Sequence, residues 1–164
     1  MTDALAADAV EGLRAAGATV ATAESLTGGL VVATLVSVPG ASDVVRGGVV
    51  AYAADVKTGV LGVDEQLVER FGTVHPDVAA TMAIQAREVC GSTYALSTTG
   101  VAGPDASEGH APGTVFLGLA GPSGAAAREL ALPGDRSAIR SATVREALSW
   151  LVARVREESG SPRR

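Results

Sequence analysis

Apolar residues recur at helical spacing from the start of the chain. Over 3–16, Leu5, Ala6, Val10 and Leu13 fall on one side, and Gly17 supplies a stop. Residues 18–23 read as a buried strand. A helix is expected over 30–36, beginning around Gly28-Gly29, and Pro39-Gly40 marks a turn. Residues 44–52 are β-branched and apolar, a strand interrupted by Gly47-Gly48. Helical segments follow at 54–61 and 64–71. Pro76 suits the first position of a helix running to Val89, with Gly91 behind it. A short strand spans 94–98, and 100–112 is loop. Strands at 114–120 and 126–132 flank Gly121-Pro122-Ser123-Gly124 as a hairpin. The last helix begins near Asp135 and turns Ile139, Ala142, Leu148, Leu151, Val152 and Val155 inward. Residues 158–164 are expected to form a tail. Helices alternating with buried strands, then a hairpin and a helix, predict one three-layer α/β/α domain over 1–164 with a mixed sheet.

Composition narrows the function classes. A chain of 164 residues with 47% hydrophobic and 19% charged residues has material for a real core, which excludes disorder. A formal charge of −5 and 3% aromatics give neither the basic face nor the stacking platform that nucleic-acid binding uses. One cysteine, Cys90, excludes an internal disulfide framework, and with only His75 and His110 a metal site is not expected. Arg14 is the first basic residue and follows Asp3, Asp8 and Glu11, the wrong order for a secretory signal. The charge-free stretch 25–42 contains Gly28, Gly29, Pro39 and Gly40 and does not read as a membrane span. A soluble cytoplasmic protein without membrane association is expected. Of 13 basic residues only Lys57 is lysine. A position that keeps an ammonium in an arginine-rich chain is a candidate for a group that must lose a proton.

Four segments carry candidate chemistry. Ala23-Glu24-Ser25-Leu26-Thr27-Gly28-Gly29 lies at a strand-to-helix junction, where open α/β sheets bind ligands. Ser25 is a candidate nucleophile there, and Thr27 or the glycine amides are candidates for holding an oxyanion. The plainer alternative, that Ser25 or Thr27 only caps a helix, stays open. Tyr52 to Lys57 begins at another strand end. Lys57, if neutral, is the available base for a serine hydroxyl, and Tyr52 a candidate to orient the proton. Ser97-Thr98-Thr99-Gly100-Val101-Ala102-Gly103-Pro104 has the small residues of a pocket wall. Arg136 and Arg140, four apart, share a helix face suited to a phosphate or simply to solvent. His75 is expected to cap a helix or lie at the surface, Cys90 to pack, and His110 carries no assigned chemistry.

Taken in order, these segments resemble the CinA C-terminal domain family, whose domain also occurs alone as nicotinamide-nucleotide amidase. The resemblance rests on Glu24-Ser25-Leu26-Thr27-Gly28-Gly29, Val38-Pro39-Gly40-Ala41-Ser42, Gly47-Gly48-Val49-Val50-Ala51-Tyr52 and Lys57-Thr58. It continues through Leu61-Gly62-Val63, Thr99-Gly100-Val101-Ala102-Gly103-Pro104, Gly113-Thr114-Val115 and Pro133-Gly134-Asp135-Arg136, so that it covers 5–155. The resemblance implies a metal- and cofactor-independent amidohydrolase that converts nicotinamide mononucleotide to nicotinate mononucleotide and ammonia. The family's serine, tyrosine and lysine fall on Ser25, Tyr52 and Lys57. Its phosphate contact falls on Arg140, helped by the loop from Thr99 through Gly100 to Gly103 and by Gly28-Gly29. The expected partner is a small-molecule nucleotide, with no nucleic acid, and homo-oligomerisation stays open. The rival reading is a non-catalytic module that binds nucleotides or a partner in competence or DNA repair.

Overall fold

Strand β1 (Val20–Glu24) is the centre of the structure, and every side chain along it is buried. Alternation divides them between two faces. Val20 packs in the core built by helices α1 (Thr2–Ala15), α2 (Leu30–Val36) and α6 (Arg136–Gly160). Ala21 and Ala23 meet the opposite core, formed with α5 (Pro76–Cys90). The computed structural model describes residues 2–160. Its sheet has the order β2 (Val45–Val50), β1, β3 (Tyr94–Gly100), β4 (Thr114–Gly121), β5 (Gly124–Ala131). β2, β1 and β3 run parallel; β4 and β5 are antiparallel additions. This is the expected three-layer α/β/α domain with a mixed sheet. Two short helices, α3 (Ala54–Gly59) and α4 (Glu65–Phe71), connect β2 to α5.

Small residues set the layer spacing on the α5 side. The helix presents Ala79, Ala83 and Ala86 to the sheet. A Cβ at Gly118 would collide with the Ala79 carbonyl, so the helix backbone rests directly on β4. His75 caps α5 by accepting from the Asp77 amide, and Gly91 closes it at φ 59°.

Several boundaries differ from expectation. β2 runs without interruption through Gly47-Gly48. The register steps from Val20↔Val45 to Ala21↔Gly47, so Arg46 is an extra, bulged residue. Gly48 is there for packing, because a Cβ would meet the Thr22 hydroxyl and Val32. α3 stops at Gly59, short of 61, and β3 extends to Gly100 through its pairing with Val115. Helix α6 continues to Gly160, so 158–160, expected in the tail, are helical. The remainder of that expected tail, 161–164, lies outside the described residues.

Because β2, β1 and β3 are parallel, their carboxyl ends lie at one edge. The chain leaves β1 toward β2 on one side and later places β3 on the other. That divergence opens a crevice beyond β1 and β3, the usual place for a ligand in such sheets.

Candidate active site

The turn after β1 is fixed by the strands on either side. The Ser25 amide donates to Thr98 O at 2.9 Å, and the Ala51 amide to Glu24 O at 2.9 Å. Gly28 and Gly29 then take φ of 60° and 95°, conformations that a side chain would strain. Glu24, 1% exposed, points back under the turn. Its carboxylate accepts from the amides of Gly29 at 3.0 Å, Val31 at 3.0 Å and Val32 at 2.8 Å. It also accepts from the Thr22 hydroxyl at 3.2 Å. A buried charge is tolerated because donors surround it. Glu24 thereby holds the start of α2.

Lys57 is equally buried, at 1% exposure. It projects inward from α3 to the end of the sheet. Nζ lies 3.0 Å from Ser25 Oγ, 2.8 Å from Ala51 O and 3.2 Å from Tyr52 O. A neutral amine has two N–H groups and one lone pair. With the N–H groups on the two carbonyls, the lone pair of the neutral form can face the Ser25 hydroxyl. Burial lowers the Lys57 pKa from the ordinary lysine range, and the charge of Glu108 partly opposes that shift. The surroundings thus favour the form able to accept the Ser25 proton.

Ser25 opens onto a cavity of about 450 Å³ whose wall includes Tyr52, Thr73, Gly100, Gly103, Glu108 and Arg136. Arg136 crosses its mouth, donating to Gly103 O and to the Tyr52 hydroxyl, both at 2.9 Å.

Several candidate residues make contacts other than those expected. The Tyr52 side chain bonds Arg136 and neither Ser25 nor Lys57; only its backbone carbonyl touches the amine. Arg140 does not line the cavity. Its guanidinium donates to Leu26 O and Thr27 O, both at 2.9 Å, and so braces the Ser25 turn from behind. Arg136 is the arginine that reaches the cavity. Thr27 is fully buried with its hydroxyl 2.7 Å from that of Thr98, and Thr99 gives its hydroxyl to Thr73 O. The Gly29 amide is occupied by Glu24 and the Gly28 amide by Ser25 O at 3.0 Å, which leaves neither for an oxyanion. Leu26 and Thr27 are the residues of this turn whose amides make no hydrogen bond among the described residues.

Two acidic residues escaped the sequence reading. Glu24 stood inside a quoted motif, but its bonds to amides five to eight positions ahead follow no helical or strand period. Glu108 offered no local signal, since its partners Thr73 and Val74 are 34–35 positions away. Among the described residues no group of three His, Cys, Asp or Glu side chains is placed to hold a metal ion. No helix among them is long and apolar enough to cross a membrane.

Known proteins share both sequence and architecture with this chain. The CinA C-terminal domain family matches residues 2–155. A CinA-like protein of Frankia casuarinae is 52% identical over 131 residues, 80% of this chain and 30% of that protein. A putative competence-damage inducible protein of Desulforamulus reducens is 49% identical over 133 residues, 81% of this chain and 32% of that protein. The chain spans about a third of the length of these curated relatives. A CinA superfamily structure from Klebsiella pneumoniae superimposes with TM-score 0.93 at 26% identity, covering 96% of this chain and 99% of that one. The competence/damage inducible protein of Agrobacterium tumefaciens has TM-score 0.88 at 35% identity, covering 93% and 94%. With the family match over nearly its whole length, the chain belongs to the CinA C-terminal domain family.

Proposed function

We propose that this protein is a nicotinamide mononucleotide amidohydrolase working through a serine–lysine pair. The observation that carries the reading is the 3.0 Å contact between Ser25 Oγ and a Lys57 amine whose pKa burial has lowered. A serine needs an adjacent base to be a nucleophile, and a desolvated lysine is one. The substrate of this reading, a pyridine nucleotide carrying a primary carboxamide, comes from the family resemblance.

In this mechanism the Lys57 lone pair takes the Ser25 proton as Oγ attacks the carboxamide carbon. The amides of Leu26 and Thr27 are the donors proposed for the developing oxyanion. Protonated Lys57 returns the proton to the leaving nitrogen, and ammonia departs as the C–N bond breaks. Water, deprotonated by Lys57, then attacks the acyl-serine and releases nicotinate mononucleotide with Ser25 restored. Arg136 takes the substrate phosphate by charge-assisted bonds, giving up its contact with Tyr52. Arg140 keeps the nucleophile's turn in place.

The test is ammonia and nicotinate mononucleotide formation by the purified protein incubated with nicotinamide mononucleotide. Equimolar release of both is expected. Binding of the mononucleotide without release would overturn the amidase reading in favour of a nucleotide-binding module.

A further inference from the structure

One side chain holds the loop between β3 and β4. Glu108 has φ 52° and is the non-glycine residue with positive φ among those described. Its carboxylate accepts from the Thr73 amide and hydroxyl, each at 2.6 Å, and from the Val74 amide at 3.2 Å. The Thr73 carbonyl accepts from the Thr99 hydroxyl at 2.7 Å, so the contact continues to the end of β3. Gly72 makes room for this arrangement, since a Cβ there would collide with the Glu108 carboxylate. Backbone bonds between Ser107 and His110 close the loop tip. An unfavourable φ persists when the surroundings over-determine it, and here three donors do so. Thr73, Val74 and Glu108 all line the cavity onto which Ser25 opens.

We propose that Glu108 is a positioning residue of this site, clipping the 105–111 loop to Thr73 and Val74 so that the cavity onto which Ser25 opens has an outer wall carrying a carboxylate. Its kinetic consequences rest on the amidase reading; its structural consequences do not.

The electrostatics agree with the geometry. Burial alone would raise the Glu108 pKa, but the Thr73 and Val74 donors and Lys57 together bring it below the usual carboxylate range. The Glu108 carboxylate is therefore ionised at neutral pH, and its charge supports the basicity that burial takes from Lys57. Asp55 belongs to the lysine's own helix and is exposed. Asp105 from the loop, Tyr52 after β2 and Arg136 from α6 also surround the cavity. Arg136 is already bonded to Gly103 and Tyr52, and the charge that raises the Lys57 pKa against burial is that of Glu108. A base needs to be neutral at working pH and still basic enough to take a proton. Burial pushes the amine toward the neutral form, and the Glu108 charge opposes part of that shift.

Lys57 is the sole lysine, so labelling lysine with carbon-13 at Cε gives one side-chain resonance whose titration requires no substrate. In the whole chain, E108Q is expected to move that titration to more acidic pH. E108D keeps the charge but is one methylene short of its donors, and is expected to titrate closer to wild type. Both variants should lose hydrogen-exchange protection at the Thr73 and Val74 amides. On nicotinamide mononucleotide, both should raise KM roughly tenfold through the lost charge-assisted bonds, and only E108Q should displace the rising limb of the pH–rate profile. An unmoved Lys57 titration in E108Q, or Thr73 and Val74 amides protected as in wild type, would overturn the proposal. An inactive wild type with the expected titration and exchange would overturn the amidase reading and leave the clip supported.

Discussion

At the inner end of the cavity, Ser25 and Lys57 are 8% and 1% exposed; at the outer end, Tyr52 is 59% exposed. The inner groups are held by backbone. Ser25 is anchored to Thr98 O, its turn is braced by Arg140, and Lys57 is tied to the carbonyls of Ala51 and Tyr52. The outer groups are exposed side chains that reach across to loops: Arg136 bonds the Tyr52 hydroxyl and Gly103 O, and Glu108 bonds Thr73 and Val74. Rigid backbone suits a nucleophile and base that must stay aligned to a fraction of an ångström. Exposed side chains suit a ligand that must enter, be gripped and leave. On the amidase reading proposed above, bond-making falls to the inner end and substrate grip to the outer, and each assignment is open to attack.

Changes to the inner pair should have the largest effects. Ser25→Ala and Lys57→Met should each lower ammonia release by about three orders of magnitude or more, because the two groups act as a unit. Lys57→Arg should be as inactive as Lys57→Met, since a guanidinium accepts no proton at working pH. The rate should rise with pH as Lys57 deprotonates. The sign for stability follows from the same shift. Between the lowered folded pKa and the free value of about 10.4, the unfolded chain carries a proton that the folded chain lacks. Stability therefore rises with pH across that window, and Lys57 adds no slope below the folded pKa. Denaturant midpoints in Lys57→Met should lack that rise; an unchanged slope would mean the amine is not perturbed.

Arg136→Ala comes next. It should lower kcat/KM on the mononucleotide by about ten- to a hundredfold, the worth of a charge-assisted phosphate contact. Activity on nicotinamide riboside, which has no phosphate, should fall little. Arg140→Ala should instead reduce kcat on both substrates alike, because it disturbs the turn and not the grip. If Arg140→Ala alone changed the mononucleotide-to-riboside ratio, the two arginines would exchange roles.

A smaller effect is expected for the anchor of the inner end. Glu24→Gln keeps the shape but sets an amide NH₂ against backbone N–H donors. It should cost about 2 kcal/mol, seen as a fall in Tm of roughly 4–8 °C, with kcat reduced through a looser Ser25 turn. The smallest is Tyr52→Phe. Its hydroxyl meets only Arg136 at an exposed position, so a change within about threefold is expected, in KM more than kcat. A collapse of kcat in Tyr52→Phe would move the tyrosine to the inner end after all.

The same division marks how far the sequence could be read. Each of the six α-helices and five strands among the described residues was present in the sequence pattern, most plainly where an element buries an apolar face, as α1, α5 and α6 do. Ser25 and Lys57 were visible too, one at a strand-to-helix junction and one as the lone lysine of an arginine-rich chain. What the local pattern does not reveal depends on contacts distant in sequence. Arg136 and Arg140 share a face in any helix, and nothing local says which of them meets the Leu26 and Thr27 carbonyls. Gly47-Gly48 looked like a break in a strand, whereas Gly48 makes room for Thr22 and Val32 on neighbouring elements. Thr27 and Thr99 looked ligand-facing until their hydroxyls were found bonded to Thr98 and to Thr73 O. Glu108 meets its partners only after the chain has folded back over α5 and β3.

The bulge at Arg46 bears on how the molecule behaves in a crowd of its own copies. β2 is a border of the sheet, and a border strand offers free N–H and C=O groups to any extended chain that drifts past. The extra residue, Arg46, breaks the even spacing of those groups, and its own exposed side chain donates to the Cys90 carbonyl at 3.1 Å. An incoming strand would lose register at that point and meet a fixed positive charge. A one-residue irregularity in the border strand thus works against runaway strand addition.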